Sequence, residues 1–121
     1  MTQLPLGIPF SSQRGHLRDD VGLVVLTGEV DISTAPSFKD DLIALVDEGV
    51  MHVVVDLVGV TFIDSTALGV LIGGVRRVHG AGGAMTIVVT SRPVERVLSI
   101  TGLDRVFSMH ETRDEAIAAL G

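Results

Sequence analysis

The chain has 121 residues, a formal net charge of −6 at pH 7 and no cysteine. Its length suits one domain with a single hydrophobic core, and the lack of cysteine excludes disulfides, thiol catalysis and cysteine-based metal sites. The acidic charge argues against nucleic acid as a partner, because affinity for a phosphate backbone comes mostly from clustered Lys and Arg side chains.

The first predicted element is a β-hairpin that follows a flexible tail. Residues 1–9 contain two prolines and a glycine without periodicity, which is typical of a loose N-terminal segment. Residues 14–20 hold Gly15 and two aspartates and precede the apolar run Leu23–Leu26. This pattern predicts a hairpin whose second strand enters the core.

A first helix is predicted after Asp31. Ser33 or Thr34 provides a capping hydroxyl, and Pro36 is a proline of the kind favoured in a first helical turn. The apolar residues that follow recur at helical spacing and form one face: Phe38, Leu42, Leu45 and Val46. Gly49 is expected to end this helix.

The centre of the chain is a junction between a buried strand and a long helix. The β-branched run His52–Leu57 predicts a strand covered on both faces, and apolar residues at helical spacing predict a helix that ends near His79. One of the residues Asp64, Ser65 and Thr66 is expected to cap that helix. Its glycines Gly69, Gly73 and Gly74 are not followed by the Lys-Ser/Thr ending of a phosphate-binding loop, so they are interpreted as sites of close packing on the sheet.

Two further strands and two further helices complete the pattern. Ala84–Val89 predicts a strand, and Ser91 with Pro93 opens a helix that ends at Gly102. Arg105–Met109 predicts a short last strand, and Thr112 with Glu115 predicts a capping box at the start of a final helix. The fold class is therefore α/β, a mixed sheet in which an N-terminal hairpin is followed by alternating strands and helices, with the helices packed against the sheet.

The junction carries a resemblance to a known family. The run Phe62–Gly69 resembles the phosphorylation-site motif of STAS domains, in particular the anti-sigma factor antagonists, although many members have glycine where this chain has Ala67. Three further segments agree in order and spacing: Leu26–Asp31, His52–Leu57 and Thr101–Asp104. The resemblance assigns residues 10–121 to one STAS domain.

From the residues alone, Ser65 is more simply a helix cap than a modification site, and Asp64 is a cap, a partner contact or a base for Ser65. The resemblance implies that a partner kinase phosphorylates Ser65, with Thr66 as the alternative acceptor. It also predicts the partner-binding residues, which are Asp31, Ser33, Thr34, Asp64, Ser65 and Thr66.

The function implied by the resemblance is regulation rather than catalysis. An antagonist of this kind is not an enzyme; it binds an anti-sigma factor that is itself a serine kinase and so releases a sigma factor. Phosphorylation ends that binding, and a phosphoserine phosphatase restores it. ATP and magnesium then belong to the kinase, this chain needs no cofactor or metal, and the expected location is the cytoplasm.

Three other functions fit the sequence less well. The chain is alternatively a STAS adaptor subunit of a membrane transport or stress-sensing complex, although neither a membrane span nor a signal peptide is expected in the chain itself. A hydrolase with Ser65 as nucleophile lacks a neighbouring histidine and the Gly-x-Ser-x-Gly pattern. A receiver domain phosphorylated on Asp56 would need a lysine late in the chain. The only lysine of this chain is Lys39, which comes before Asp56.

Overall fold

The computed structural model describes residues 8–120, so the predicted tail lies outside the described residues except for its last two positions. The described residues form five strands and four α-helices in the order β1 (Ser11–Arg18), β2 (Val21–Val30), α1 (Ala35–Asp47), β3 (His52–Ile63), α2 (Ser65–Gly80), β4 (Met85–Val88), α3 (Arg92–Ile100), β5 (Ser108–His110) and α4 (Arg113–Leu120). None of these helices is both long enough and apolar enough to cross a membrane.

The strands form one mixed sheet in the order β1-β2-β3-β4-β5. The antiparallel pair β1 and β2 is the predicted hairpin, and every later neighbour in the sheet is parallel. A parallel pair needs a crossover connection, and the helices α1, α2 and α3 provide these connections. The predicted fold class is confirmed.

Helices cover both faces of this sheet. Side chains of α1, α2 and α3 share the main core with Val53 and Val55 of β3, whereas Val54 of the same strand packs with Ala116 of α4 on the other face. Because neighbouring residues of a strand point to opposite faces, coverage on both sides explains the unbroken β-branched run of β3.

The buried carboxylate of β3 is held by a partner from α4. Asp56 is 6% exposed, and its carboxylate accepts a hydrogen bond from Arg113 Nε at 2.7 Å and one from the Val58 N–H at 2.9 Å. An aspartate that is buried and paired in this way anchors α4 to the sheet.

The predicted end of the third strand at Leu57 is wrong, because β3 continues to Ile63. Beyond Asp56 the strand is no longer paired with β4 but stays paired with β2. Two register shifts interrupt that pairing, so the residues of the extension do not show the regular alternation by which a strand is recognised in a sequence. Gly59 lies in this part, where a Cβ atom would approach the Thr27 methyl carbon to 2.9 Å. The ends of β2 and β3 therefore run together beyond the paired part of β4.

The last strand is also placed differently, at Ser108–His110 instead of Arg105–Met109. Gly102, in a left-handed conformation with φ of 77°, ends α3 and leads into a 3-10 helix that uses residues 103–105. The predicted capping box of α4 is half formed. Thr112 Oγ1 accepts the Glu115 N–H at 3.1 Å, but the Glu115 carboxylate accepts from the Thr112 hydroxyl rather than from its backbone.

Candidate functional site

The candidate site lies where β2 and β3 end. Val30 and Ile63 are paired in the sheet, which brings the loop Asp31–Thr34 beside the segment Asp64–Thr66. Two hydrogen bonds join these segments: the Asp64 N–H donates to the Val30 carbonyl at 3.2 Å, and the Ile32 N–H donates to Asp64 Oδ2 at 3.1 Å. The structure therefore brings all six predicted partner-binding residues into two adjacent stretches of chain.

Asp64 is the cap of α2. Its Oδ1 atom accepts the Ala67 N–H at 3.0 Å, and its carbonyl accepts the Leu68 N–H at 3.0 Å. A carboxylate at this position satisfies a free donor of the first turn and lies at the positive end of the helix dipole. Of the three residues predicted as candidates for the cap, Asp64 is the one that caps the helix. Its second carboxylate oxygen accepts the hydrogen bond from the Ile32 N–H.

Ser65 and Thr66 are the first two residues of α2, and both are exposed. Neither hydroxyl makes a hydrogen bond to any of residues 8–120, so both are available to a partner. No histidine side chain among the described residues is bonded to Ser65: His16, His52 and His110 have partners elsewhere, and His79 lies in the last turn of α2, at the opposite end of the helix from Ser65. A hydrolytic nucleophile would need such a base.

The loop Asp31–Thr34 is held together by hydrogen bonds from Ser33 and Thr34 to the Asp31 carboxylate. Asp31 Oδ1 accepts from Ser33 Oγ at 2.8 Å, from the Ser33 N–H at 3.0 Å and from the Thr34 N–H at 3.1 Å. The hydrogen bond from the Ser33 hydroxyl, helped by those backbone donors, lowers the pKa of Asp31 below its ordinary value of 3.8. The loop thus presents a carboxylate that stays ionised at lower pH than an ordinary aspartate does.

The predicted capping hydroxyl of α1 is not found. Thr34 occupies the cap position, but its hydroxyl turns back to the sheet, where it donates to the Glu29 carbonyl at 2.9 Å and accepts the Asp31 N–H at 2.8 Å. Ser33 does not cap the helix either, because its hydroxyl is bonded to Asp31. The side chains that the sequence assigned to α1 instead tie the loop to the end of β2.

Two apolar residues at the site were missed by the sequence reasoning. Ile32 is 74% exposed in the loop, and Phe62 is 49% exposed one position before the end of β3. Large apolar side chains exposed next to polar ones are typical of protein-binding surfaces. The sequence did contain one sign of this surface: Ile32 is an aliphatic residue in a turn whose other residues are all polar, and such a residue is expected to be exposed.

Comparisons with known proteins agree with this arrangement. Residues 16–116 match the family described as STAS domain. A Thermotoga neapolitana protein provisionally named as an anti-sigma factor antagonist is 34% identical over 100 residues, which cover 82% of this chain and 88% of that protein. The anti-sigma-B factor antagonist of Staphylococcus epidermidis is 31% identical over 93 residues, which cover 77% and 86%.

The fold has solved counterparts. The crystal structure of an anti-sigma factor antagonist from Mycobacterium paratuberculosis has a TM-score of 0.85 and 28% sequence identity, with 95% of this chain and 98% of that chain covered. The resemblance seen in the junction motif therefore extends through sequence and fold.

Proposed function

The chain belongs to the STAS domain family, and we propose that it is an anti-sigma factor antagonist switched by phosphorylation of Ser65. In this proposal the unmodified protein binds an anti-sigma factor that is also a serine kinase, and the bound sigma factor is released. The family match and the names of the relatives support the antagonist role. The observation that carries the switch is the Ser65 hydroxyl, which is exposed and free of hydrogen bonds to the described residues.

The chemistry needs little from this chain. The kinase transfers the γ-phosphoryl group of ATP to Ser65 Oγ; the bond to the β-phosphate oxygen breaks, ADP leaves and the hydroxyl loses its proton. ATP and magnesium are bound by the kinase, which provides the charge stabilisation for the transfer. This protein contributes a hydroxyl on a rigid helix start, held in position by the Asp64 cap. A phosphoserine phosphatase reverses the modification by hydrolysis.

The partner-binding surface in this proposal consists of both segments and the apolar residues beside them. Asp31, Ser33, Thr34 and Asp64 give the surface its shape and negative charge, while Ile32 and Phe62 offer apolar area to bury. The Ile32 N–H is bonded to Asp64, which directly precedes Ser65, and Phe62 lies at the end of the strand that leads into Ser65. These positions support the assignment, because a kinase that modifies the hydroxyl must cover its surroundings.

Phosphorylation is expected to act at the surface rather than on the fold. A phosphate on Ser65 adds about −1.5 to −2 charges at the positive end of α2, which favours the helix. In the complex, the new charge costs ~2 to 3 kcal/mol for each unit of like charge about 6 Å away at an effective dielectric of ~20. That corresponds to a loss of affinity of roughly 30-fold to 150-fold. The proposal places the switch in the cytoplasm, where sigma factors act.

The test uses the purified protein, ATP, magnesium and each candidate anti-sigma kinase of the same cell, with the phosphate located by mass spectrometry. We expect one phosphate on Ser65, none on the Ser65→Ala variant, and a folded phosphoprotein that binds the kinase at least tenfold more weakly. Ser99→Ala is the matched control: Ser99 is also an exposed serine on a helix, but it lies on α3, outside the proposed surface, so phosphorylation of Ser65 is expected to be unchanged.

Three results would contradict the proposal. Phosphorylation of Ser65→Ala at Thr66 would move the switch by one residue, and unfolding of the phosphoprotein would overturn the surface mechanism. A stable complex with a transporter subunit, together with no phosphate on the protein after incubation with ATP and every candidate kinase, would favour the adaptor function instead.

A further inference from the structure

A groove with a volume of about 650 Å³ runs between α1 and α2. On α2 it extends from Thr66 to Arg77, and on α1 it passes Lys39. Thr66 is also part of the proposed kinase-binding surface, so the groove begins where that surface ends. The twelve residues from Thr66 to Arg77 span about 16 Å, or roughly three turns of helix.

The floor of the groove is open because of two glycines that the fold itself does not require. A Cβ atom on Gly74 would approach side-chain carbons of Leu42 and Met85 to 2.9 Å, so close packing explains that glycine, as the sequence predicted. The prediction of close packing is wrong for Gly69 and Gly73, because a Cβ atom on either would meet nothing within 4 Å. Glycine inside a helix is less favourable than alanine, so these two positions weaken α2 without improving its packing.

The charges along the groove differ from those of the chain as a whole. The protein has a net charge of −6, yet the groove carries two cations, Lys39 and Arg77, against one carboxylate, Asp40. The salt bridges found among residues 8–120 include neither Lys39 nor Arg77. Both cations are therefore available to carboxylates of a partner.

We propose that this groove receives an α-helix of the anti-sigma factor kinase. The inference rests on the proposed function and extends the contact from Ser65 along about three turns of α2. The walls are two helices, whose backbone groups are already bonded internally, so they suit a packed helix better than an extended segment that needs backbone partners. Gly69 and Gly73 let the incoming backbone approach closely, and acidic residues on the edge of the incoming helix pair with Lys39 and Arg77.

The experiment adds a methyl group to the floor and compares it with the same change outside the groove. Gly69→Ala and Gly73→Ala are expected to raise the Tm by about 2 to 5 °C, because alanine favours the helix and meets no clash. The same variants are expected to bind the kinase at least tenfold more weakly in titration calorimetry. Gly80→Ala is the matched control. A Cβ atom on Gly80 of α2 would also meet nothing within 4 Å, but Gly80 does not line the groove, so the affinity for the kinase is expected to stay within twofold of the parent's.

Charge reversal provides a second measurement that does not depend on the glycines. Lys39→Glu and Arg77→Glu are expected to slow association and to weaken binding by about tenfold, with an effect that shrinks as salt is added. Parental affinity in both the alanine and the glutamate variants would overturn the groove assignment. Loss of a dimer of this chain on Gly73→Ala, measured by sedimentation, would also overturn it by assigning the groove to a second copy.

The outcome separates this inference from the proposed function. If the parent protein neither binds an anti-sigma kinase nor is phosphorylated by one, the proposed function fails. If the parent binds and is phosphorylated while the groove variants behave like the parent, only the groove inference fails.

Discussion

Two aspartate-led segments of this protein contain the same residue types and use them in opposite ways. In the loop Asp31–Thr34, the carboxylate collects the Ser33 hydroxyl and the backbone donors that follow it. In the segment Asp64–Thr66, the carboxylate bonds the backbone of Ala67 and Ile32 and leaves both following hydroxyls free. The hydroxyls that follow Asp31 are therefore hydrogen-bonded within the protein, whereas those that follow Asp64 are available to a partner.

The difference comes from the path of the backbone after each aspartate. After Asp31 the chain turns tightly before α1 begins, which brings Ser33 and Thr34 back over the carboxylate in the manner of a side-chain-closed turn. After Asp64 the chain enters α2 directly, so the carboxylate faces the N–H group three residues on while Ser65 and Thr66 project outward. The accessibility of a phosphate acceptor thus depends on where the helix starts.

The largest expected effect on stability comes from Asp64, which holds the two segments together. Asp64→Ala is expected to lower the free energy of unfolding by about 1.5 kcal/mol, since the variant loses the cap of α2 and the bond to Ile32. Asp64→Asn keeps one acceptor for the cap and is expected to lose only about 0.5 kcal/mol. Urea unfolding of both variants measures the difference. Equal losses would show that negative charge, rather than the two bonds, stabilises this end of the helix.

A matched pair of threonine substitutions tests the comparison directly. Thr34→Val is expected to cost about 1 kcal/mol, because the Glu29 carbonyl and the Asp31 N–H both lose the hydroxyl as partner. Thr66→Val removes a hydroxyl without any bond to the described residues and is expected to change stability by less than about 0.5 kcal/mol. Valine and threonine are both β-branched, so helix propensity changes little. Similar costs at both positions in thermal unfolding would contradict the distinction between a consumed and a free hydroxyl.

The smallest expected effect is the acid dependence of the loop. The pKa of Asp31 is lowered below 3.8 by the Ser33 hydroxyl and neighbouring donors, so its stabilising contribution is complete above that pH and is lost as the pH falls through the folded value. The parent and Asp31→Asn should therefore differ in stability at neutral pH and converge below pH 3.8. Titration of the Asp31 carboxyl by NMR measures the pKa itself. A midpoint at or above 3.8 would show that the loop hydrogen bonds do not favour the charged form.

Much of the fold followed from local patterns in the sequence. The β-branched run of β3, the amphipathic face of α1 and the glycines Gly49 and Gly102 after helix ends are short-range signals. They located the start of β3, the buried face of α1 and the ends of α1 and α3. The extension of β3 to Ile63 was not predictable in the same way, because it depends on pairing with β2 rather than on the alternation of its own residues. The late start of β5 likewise depends on a tight turn that α3 and Gly102 impose.

The sequence by itself determined the hairpin, the alternating strands and helices, the family resemblance and the stretch that contains Ser65, because these depend on residue types at short spacing. Only the tertiary structure decided which hydroxyls are free, how Asp64 reaches the backbone of Ile32, and that Ile32 and Phe62 are exposed beside Ser65. It also decided that Gly69 and Gly73 face an open groove while Gly74 is packed. The physical reason is that each of these properties depends on contacts between residues far apart in the chain, which the register of β2 on β3 and the packing of α1 beside α2 create.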